Sequence, residues 1–119
     1  MDARKVRKPY KEIDLDAWIA ELVSSSDEAR LAYEENVSVT ELVLMLIKLR
    51  EKTGLTQKEL AERMGITQQM VSKMERKDYE GRTFAKIWRH LDALGYRPEI
   101  KAVPIKQWRK KHPIPGLKE

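Results

Sequence analysis

The sequence predicts an all-α protein, a five-helix domain behind an N-terminal helical extension, with a single β-strand following the last helix. Three observations carry this expectation. Apolar residues recur at helical spacing through most of the 119 residues, side-chain caps and glycines mark where those periods start and stop, and period-two alternation is confined to 96–103. With 41% hydrophobic and 36% charged residues, the chain can fill one core but is short for a second. The expected division is a basic arm and acidic helical extension over 1–38, a helical domain over 39–95, a dimerisation strand over 96–105 and a basic tail over 106–119.

Composition already excludes several classes. Cysteine is absent, which removes disulfides, thiolate metal sites and cysteine nucleophiles, and suits a reducing compartment. The longest apolar run, Leu42 to Ile47, is six residues, against about 20 for a membrane helix. The basic start Arg4, Lys5, Arg7, Lys8 is not followed by an apolar signal core, so a cytoplasmic location without membrane contact is expected. Charge is unevenly placed. The net +5 divides into +4 over 1–11, −7 over 12–38, +3 over 39–95 and +5 over 96–119. Positive charge on the middle and C-terminal parts favours a polyanion, and the acidic segment opposes one.

The first helix places Leu15, Trp18, Ile19, Leu22 and Val23 on one stripe behind Asp14 or Asp16 as N-cap, and stops near Ser24 to Ser26. Ser25 and Glu28 have capping-box spacing and predict a second helix through Tyr33; Ser38 and Glu41 predict a third, running to about Lys52 and closed by Gly54. The run Leu42 to Ile47 is apolar on nearly all sides of that helix, so either the segment before Ser38 or a second subunit is expected to cover the face turned from the core.

The next forty residues are the most informative. Thr56 and Glu59 form a capping box and Leu55 and Leu60 a hydrophobic staple, opening a short helix that ends at Met64. Gly65 supplies a turn, after which Thr67 caps a second short helix and Ile66 staples to Val71. Two short helices joined by about three residues including a glycine have helix-turn-helix spacing, and the small Ala61 suits their close approach. A further helix follows Thr83 with Phe84, Ile87, Trp88, Leu91 and Leu94 on one stripe and Gly95 beyond it.

After Gly95, Tyr96, Pro98, Ile100 and Ala102 alternate with Arg97, Glu99 and Lys101, predicting a strand to Val103. A solitary strand leaves its ladder unpaired. Its simplest partner is the same strand in a second copy, with Tyr96, Ile100, Ala102 and Val103 as dimer residues; an extended tail on its own domain is the alternative. Residues 106–119, with Trp108 among basic neighbours and then Pro113 and Pro115, read as loosely ordered.

On the helix after Thr67, Val71 and Met74 point to the core while Gln68, Gln69, Ser72, Lys73 and Arg76 lie opposite. Glutamine can pair bidentately with adenine, worth about 1–3 kcal/mol of discrimination per base pair, and lysine can reach guanine or a phosphate. A recognition helix enters the major groove N-terminal end first, so Gln68 and Gln69 would lie deepest.

The stretch from Leu49 to Gly95, with GLTQKELAERMGITQQMVSKMERKDYEGRTF within it, resembles the XRE family of helix-turn-helix proteins, the lambdoid phage repressor and Cro type. Gln57, Leu60, Ala61, Gly65, Ile66, Ser72 and Glu75 carry the pattern. The resemblance implies a repressor-like fold in which Gln68, Gln69, Ser72 and Lys73 contact bases of double-stranded DNA. Gln57, Lys58 and Thr67 are the implied phosphate contacts at the helix starts, with Lys77 and Arg82 added from the loop after Glu75. There the sequence departs from the Asn-Gly or Arg-Gly turn of many members; Asp78 and Glu80 should face away from the duplex. Arg50 and Glu75 match a partly buried structural ion pair of the phage proteins. Outside this stretch, the N-terminal extension and the ending LDALGYRPEIKAVP look like HigA-type antitoxins of toxin–antitoxin systems, which dimerise, repress their own operon and neutralise a basic RNase toxin.

These readings imply a sequence-specific, homodimeric repressor on a palindromic operator, the autoregulating antitoxin of a toxin–antitoxin pair. The acidic 12–38 segment, with its stripe Trp18, Ile19, Leu22, Val23, is the candidate toxin surface unless it covers Leu42 to Ile47 in the same chain. Two alternatives stay open: a phage-type repressor without a toxin, and a protein-interaction module that keeps the helix-turn-helix as scaffold. No enzyme, metal or cofactor is expected, since His90 and His112 read as solvent-facing and no phosphate loop or metal-ligand spacing occurs. RNA binding around Trp108 lacks any module pattern.

Overall fold

A computed structural model describes residues 14–117, so the basic arm expected at 1–11 lies outside the described residues, as do Lys118 and Glu119. Six helices occupy them: α1 (Leu15–Ser25), α2 (Asp27–Thr53), α3 (Gln57–Met64), α4 (Gln68–Met74), α5 (Phe84–Leu94) and α6 (Ile105–Lys111). They fall into two compact units, residues 32–102 and the flanking residues 14–31 with 103–117. None of the helices is long and apolar enough to cross a membrane.

In the flanking unit, Asp14 is the N-cap of α1, its carboxylate accepting from the Ala17 amide at 3.2 Å. Ala20, Val23 and Ile114 are buried. The loosely ordered tail expected at 106–119 is instead helical over Ile105–Lys111, with Pro104 preceding the first turn. Local interactions account for the difference: Trp108 and His112, four apart, stack with ring centroids 4.0 Å apart. Arg109, Lys110 and Lys111 also sit in the last turn, where the helix dipole favours cations.

The unit over 32–102 packs α3, α4, α5 and the C-terminal part of α2 around two clusters. Leu60, Ala61, Val71 and Leu94 form one, with Leu49 and Leu55 against it; Leu46, Met74 and Leu91 form the other. Each large apolar side chain removed from water contributes about 1.5–3 kcal/mol, so this is the part of the fold best able to hold a site rigid.

Three expectations are corrected here. The separate helices opened by Ser25 and Ser38 are one continuous α2. Its cap is Ser26, whose hydroxyl accepts from the Ala29 amide at 3.0 Å, while the Ser38 hydroxyl donates back to the Glu34 carbonyl at 3.2 Å. A capping sequence is only an option, and inside a helix the same hydroxyl finds the carbonyl four residues back. Because α2 is continuous, residues 32–38 run on along its axis and cannot lie over Leu42 to Ile47; Val43 and Leu46 are buried, whereas Leu44 and Met45 remain exposed.

The five-helix count and the C-terminal strand also fail: there are six helices among the described residues, and Tyr96, Ile100, Ala102 and Val103 lie in no strand. The Tyr96 amide donates to the Leu91 carbonyl at 2.9 Å and that of Gly95 to Asp92 at 3.0 Å, closing α5 in a Schellman motif. Tyr96 therefore spends its donor on the helix end. Pro98 and Pro104 have no N–H to offer a ladder, and Ile100 is 80% exposed.

Candidate nucleic-acid interface

The helix-turn-helix is built by local hydrogen bonds that its sequence spells out. At the start of α3 the Thr56 hydroxyl accepts from the Glu59 amide and the Glu59 carboxylate accepts from the Thr56 amide, both at 3.1 Å. The Thr56 amide first, and then the Thr56 hydroxyl, hold the Glu59 carboxyl below its usual range. Gly65 ends α3 at φ 68°, with its amide bonded to Glu62 and that of Ile66 to Ala61. Thr67 then caps α4, its hydroxyl accepting from the Met70 amide at 3.2 Å. Leu60 and Ala61 of α3 bury against Val71 of α4 and Leu94 of α5, which sets the angle between the two short helices.

With Val71 and Met74 at 0% and 2% exposure, the rest of α4 is presented outward. Gln68, Gln69 and Lys73 are exposed and Ser72 is half-buried. Lys73 lies four residues after Gln69, so these side chains form one polar strip. Around it, Lys58 on α3, Thr67 at the cap and Lys77 in the following loop are exposed as well.

Two residues expected to contact phosphate, Gln57 from the resemblance and Arg82 from the loop, have internal partners. Gln57 is half-buried and its amide donates to a Glu75 carboxylate oxygen at 3.3 Å. Arg82 donates to the carbonyls of Met74 at 2.8 Å and Arg76 at 2.7 Å, and more weakly to Lys73 and Tyr79, each at 3.5 Å. Its guanidinium thus satisfies carbonyls at the C-terminal end of α4, where the helix dipole favours a cation.

Arg50 and Glu75 meet bidentately, with Nε to Oε2 at 2.7 Å and Nη2 to Oε1 at 3.0 Å, and Arg50 also donates to the Leu55 carbonyl at 2.8 Å. The Glu75 hydrogen bond raises Arg50 above its ordinary value. The pair ties α2 to the end of α4, while Gln57 adds α3 to the same carboxylate.

Three residues, Tyr79, Lys86 and His90, take places that the sequence expectations did not give them. Tyr79 accepts from Lys86 Nζ at 2.7 Å, donates to the Met70 sulfur at 3.8 Å and takes Arg82 over its ring at 5.6 Å. A Cβ on Gly81 would fall 2.6 Å from the Tyr79 hydroxyl, so only glycine admits this ring position. His90, expected at the surface, is fully buried, because the buried face of α5 carries Ile87, His90, Leu91 and Leu94 while Phe84 and Trp88 stay exposed. An aromatic among alternating charges was the available signal for Tyr79; nothing local marked His90 or the hydrogen-bonding role of Lys86. His112 is half-buried against Trp108 rather than free in solvent. Of the acidic loop residues, Asp78 pairs with Arg76 at 3.2 Å and Glu80 is exposed. Among the described residues no group of three or more His, Asp or Glu is gathered as a metal site.

Residues 46–99 match the family model described as Helix-turn-helix, of the XRE type. That match points to a DNA-binding transcription regulator. No curated protein and no solved structure matches the chain.

Proposed function

We propose that the chain is a sequence-specific DNA-binding transcriptional repressor that acts as a homodimer on a palindromic operator. The single observation that carries the reading is the outward strip of α4, on which Gln68, Gln69 and Lys73 are exposed while Val71 and Met74 anchor the helix. Gln68 and Gln69 read base edges, Ser72 and Lys73 extend that contact, and Lys58, Thr67 and Lys77 neutralise or bond phosphates. Gln57 and Arg82 serve mainly to hold α3 and α4 in place, and reach a phosphate only at the expense of the partners described above.

A second copy is supported by an apolar groove whose lining includes Met45, Phe84, Tyr96 and Ile100, all exposed large hydrophobics. Covering that groove removes them from water, and on a palindromic operator the two α4 helices would have to lie about 34 Å apart, one turn of duplex. An antitoxin role is supported by Trp18, Leu22 and Leu31, which are exposed within the acidic segment 12–38 and suit a basic protein partner.

Selection of bound sites from random duplexes tests the reading. Gln69→Ala should relax preference at one base pair per half-site, whereas Lys58→Ala should weaken all sequences alike and lower the salt slope by about one. If both variants shift selected and random DNA equally, the base-reading assignment is wrong. Copurification of a small basic protein, lost on joint Trp18→Ala and Leu22→Ala substitution, is the result the antitoxin role requires.

A further inference from the structure

Three of the four methionines among the described residues, Met64, Met70 and Met74, line one cavity of about 200 Å³ between the helix-turn-helix and α5. Ile66 completes its apolar wall, and Lys86, Arg89 and His90 supply its polar part. His90 is fully buried, and neither ring nitrogen has a hydrogen-bond partner among the described residues. Burial pushes its imidazole below the ordinary value, against a smaller upward pull from Glu75, so at neutral pH the ring offers one donor and one acceptor. Arg89 is exposed and makes no hydrogen bond or ion pair with another described residue. Lys86, by contrast, already donates to the Tyr79 hydroxyl and, at 2.9 Å, to the Gly81 carbonyl.

Thioethers are soft ligands and an imidazole also binds transition metals, but two cationic side chains line the same cavity and favour an anion over a metal ion. The volume sets the size. An apolar cavity of about 150 Å³ accommodates benzene, so this one suits a single ring or a short chain bearing one small charged group. Methionine side chains are unbranched and adaptable, which lets the wall close on such a body and open toward the imidazole.

We infer that this cavity binds a small monocarboxylate with an apolar body. Met64, Ile66, Met70 and Met74 enclose the body, the carboxylate meets Arg89, and His90 provides the hydrogen bond that no protein group takes up. The inference stands apart from the DNA reading, and its test uses no DNA.

The test is a titration of the full chain, carrying ¹³C-methyl methionine, with benzoate, hexanoate and the uncharged isostere benzamide. Benzoate and hexanoate should move the Met64, Met70 and Met74 methyl signals together and saturably while Met45 stays still. Benzamide should bind at least about tenfold more weakly, since charge-assisted hydrogen bonds are the stronger class. Arg89→Gln, an exposed substitution that leaves the core intact, should lose the same factor for benzoate. The inference is overturned if no saturable shift occurs, if benzamide binds as well as benzoate, or if Arg89→Gln retains full benzoate affinity. A silver ion shifting the three methyls where the carboxylates do not would replace it with a soft-cation site.

Discussion

Removal of the Glu75 carboxylate is the most informative single perturbation of this fold. The Arg50 and Glu75 side chains are 13% and 3% exposed, and the carboxylate is shared by two guanidinium nitrogens and the Gln57 amide. In Glu75→Leu the guanidinium keeps only its bond to the Leu55 carbonyl. It cannot escape by losing its proton, because arginine stays charged. Stranding one member of a buried pair costs about 3–5 kcal/mol, against about 6–18 kcal/mol for a chain of this length at ordinary stability per residue. With a urea m-value of about 1–3 kcal/mol/M, the midpoint should fall by at least about 1 M. Arg50→Met should cost a similar amount, because it leaves Glu75 with Gln57 alone. The double variant Arg50→Met with Glu75→Leu should recover most of the loss, since an apolar pair of similar volume needs no desolvation. Urea unfolding followed by circular dichroism measures all three. Single variants within about 0.5 kcal/mol of the parent, or a double variant as unstable as the sum of the singles, would refute a buried, mutually dependent pair.

Other consequences are simpler to test. Burial lowers the His90 pKa in the folded state, so the unfolded chain takes up its proton first; stability should be full above about pH 6.5 and decline as pH falls from there toward the folded value. His90→Leu should flatten that slope, and an unchanged slope in thermal unfolding between about pH 5 and about pH 7, an interval that contains the free imidazole value of about 6.5, would assign it to other groups. Gly65→Ala should cost about 1–2 kcal/mol through its φ of 68° alone, because nothing lies within 4 Å of the added Cβ; a neutral result in urea unfolding would mean the turn relaxes. Gly81→Ala should displace the Tyr79 ring, seen as changed shifts of the Tyr79 ring signals and of the Met70 methyl, and unchanged signals would show that the loop yields instead.

What could be read from the residues alone is what is decided within about five positions of the chain. The Thr56 and Glu59 box, the Thr67 cap and the Gly65 turn are closed by bonds between near neighbours, so α3, the turn and α4 were legible, and with them the outward position of Gln68, Gln69 and Lys73. Local signals misled where two local outcomes were both available. Ser38 could cap a helix or bond back within one, and packing of Val43 and Leu46 in the core goes with the continuous α2. Period-two alternation over 96–103 needed a partner strand that the described residues do not contain, and the Schellman closure of α5 took the Tyr96 amide instead. Only the tertiary structure decided which face of α5 turns inward, and therefore that His90 is buried rather than Trp88. Only it gave Arg82 its carbonyl partners, Met74 at the end of α4 and Arg76 just beyond it, and Tyr79 its place beneath two cations. Hydrogen bonds a turn apart join residues that one short stretch of sequence contains, but burial depends on the shape of everything packed around a residue, which no short stretch contains.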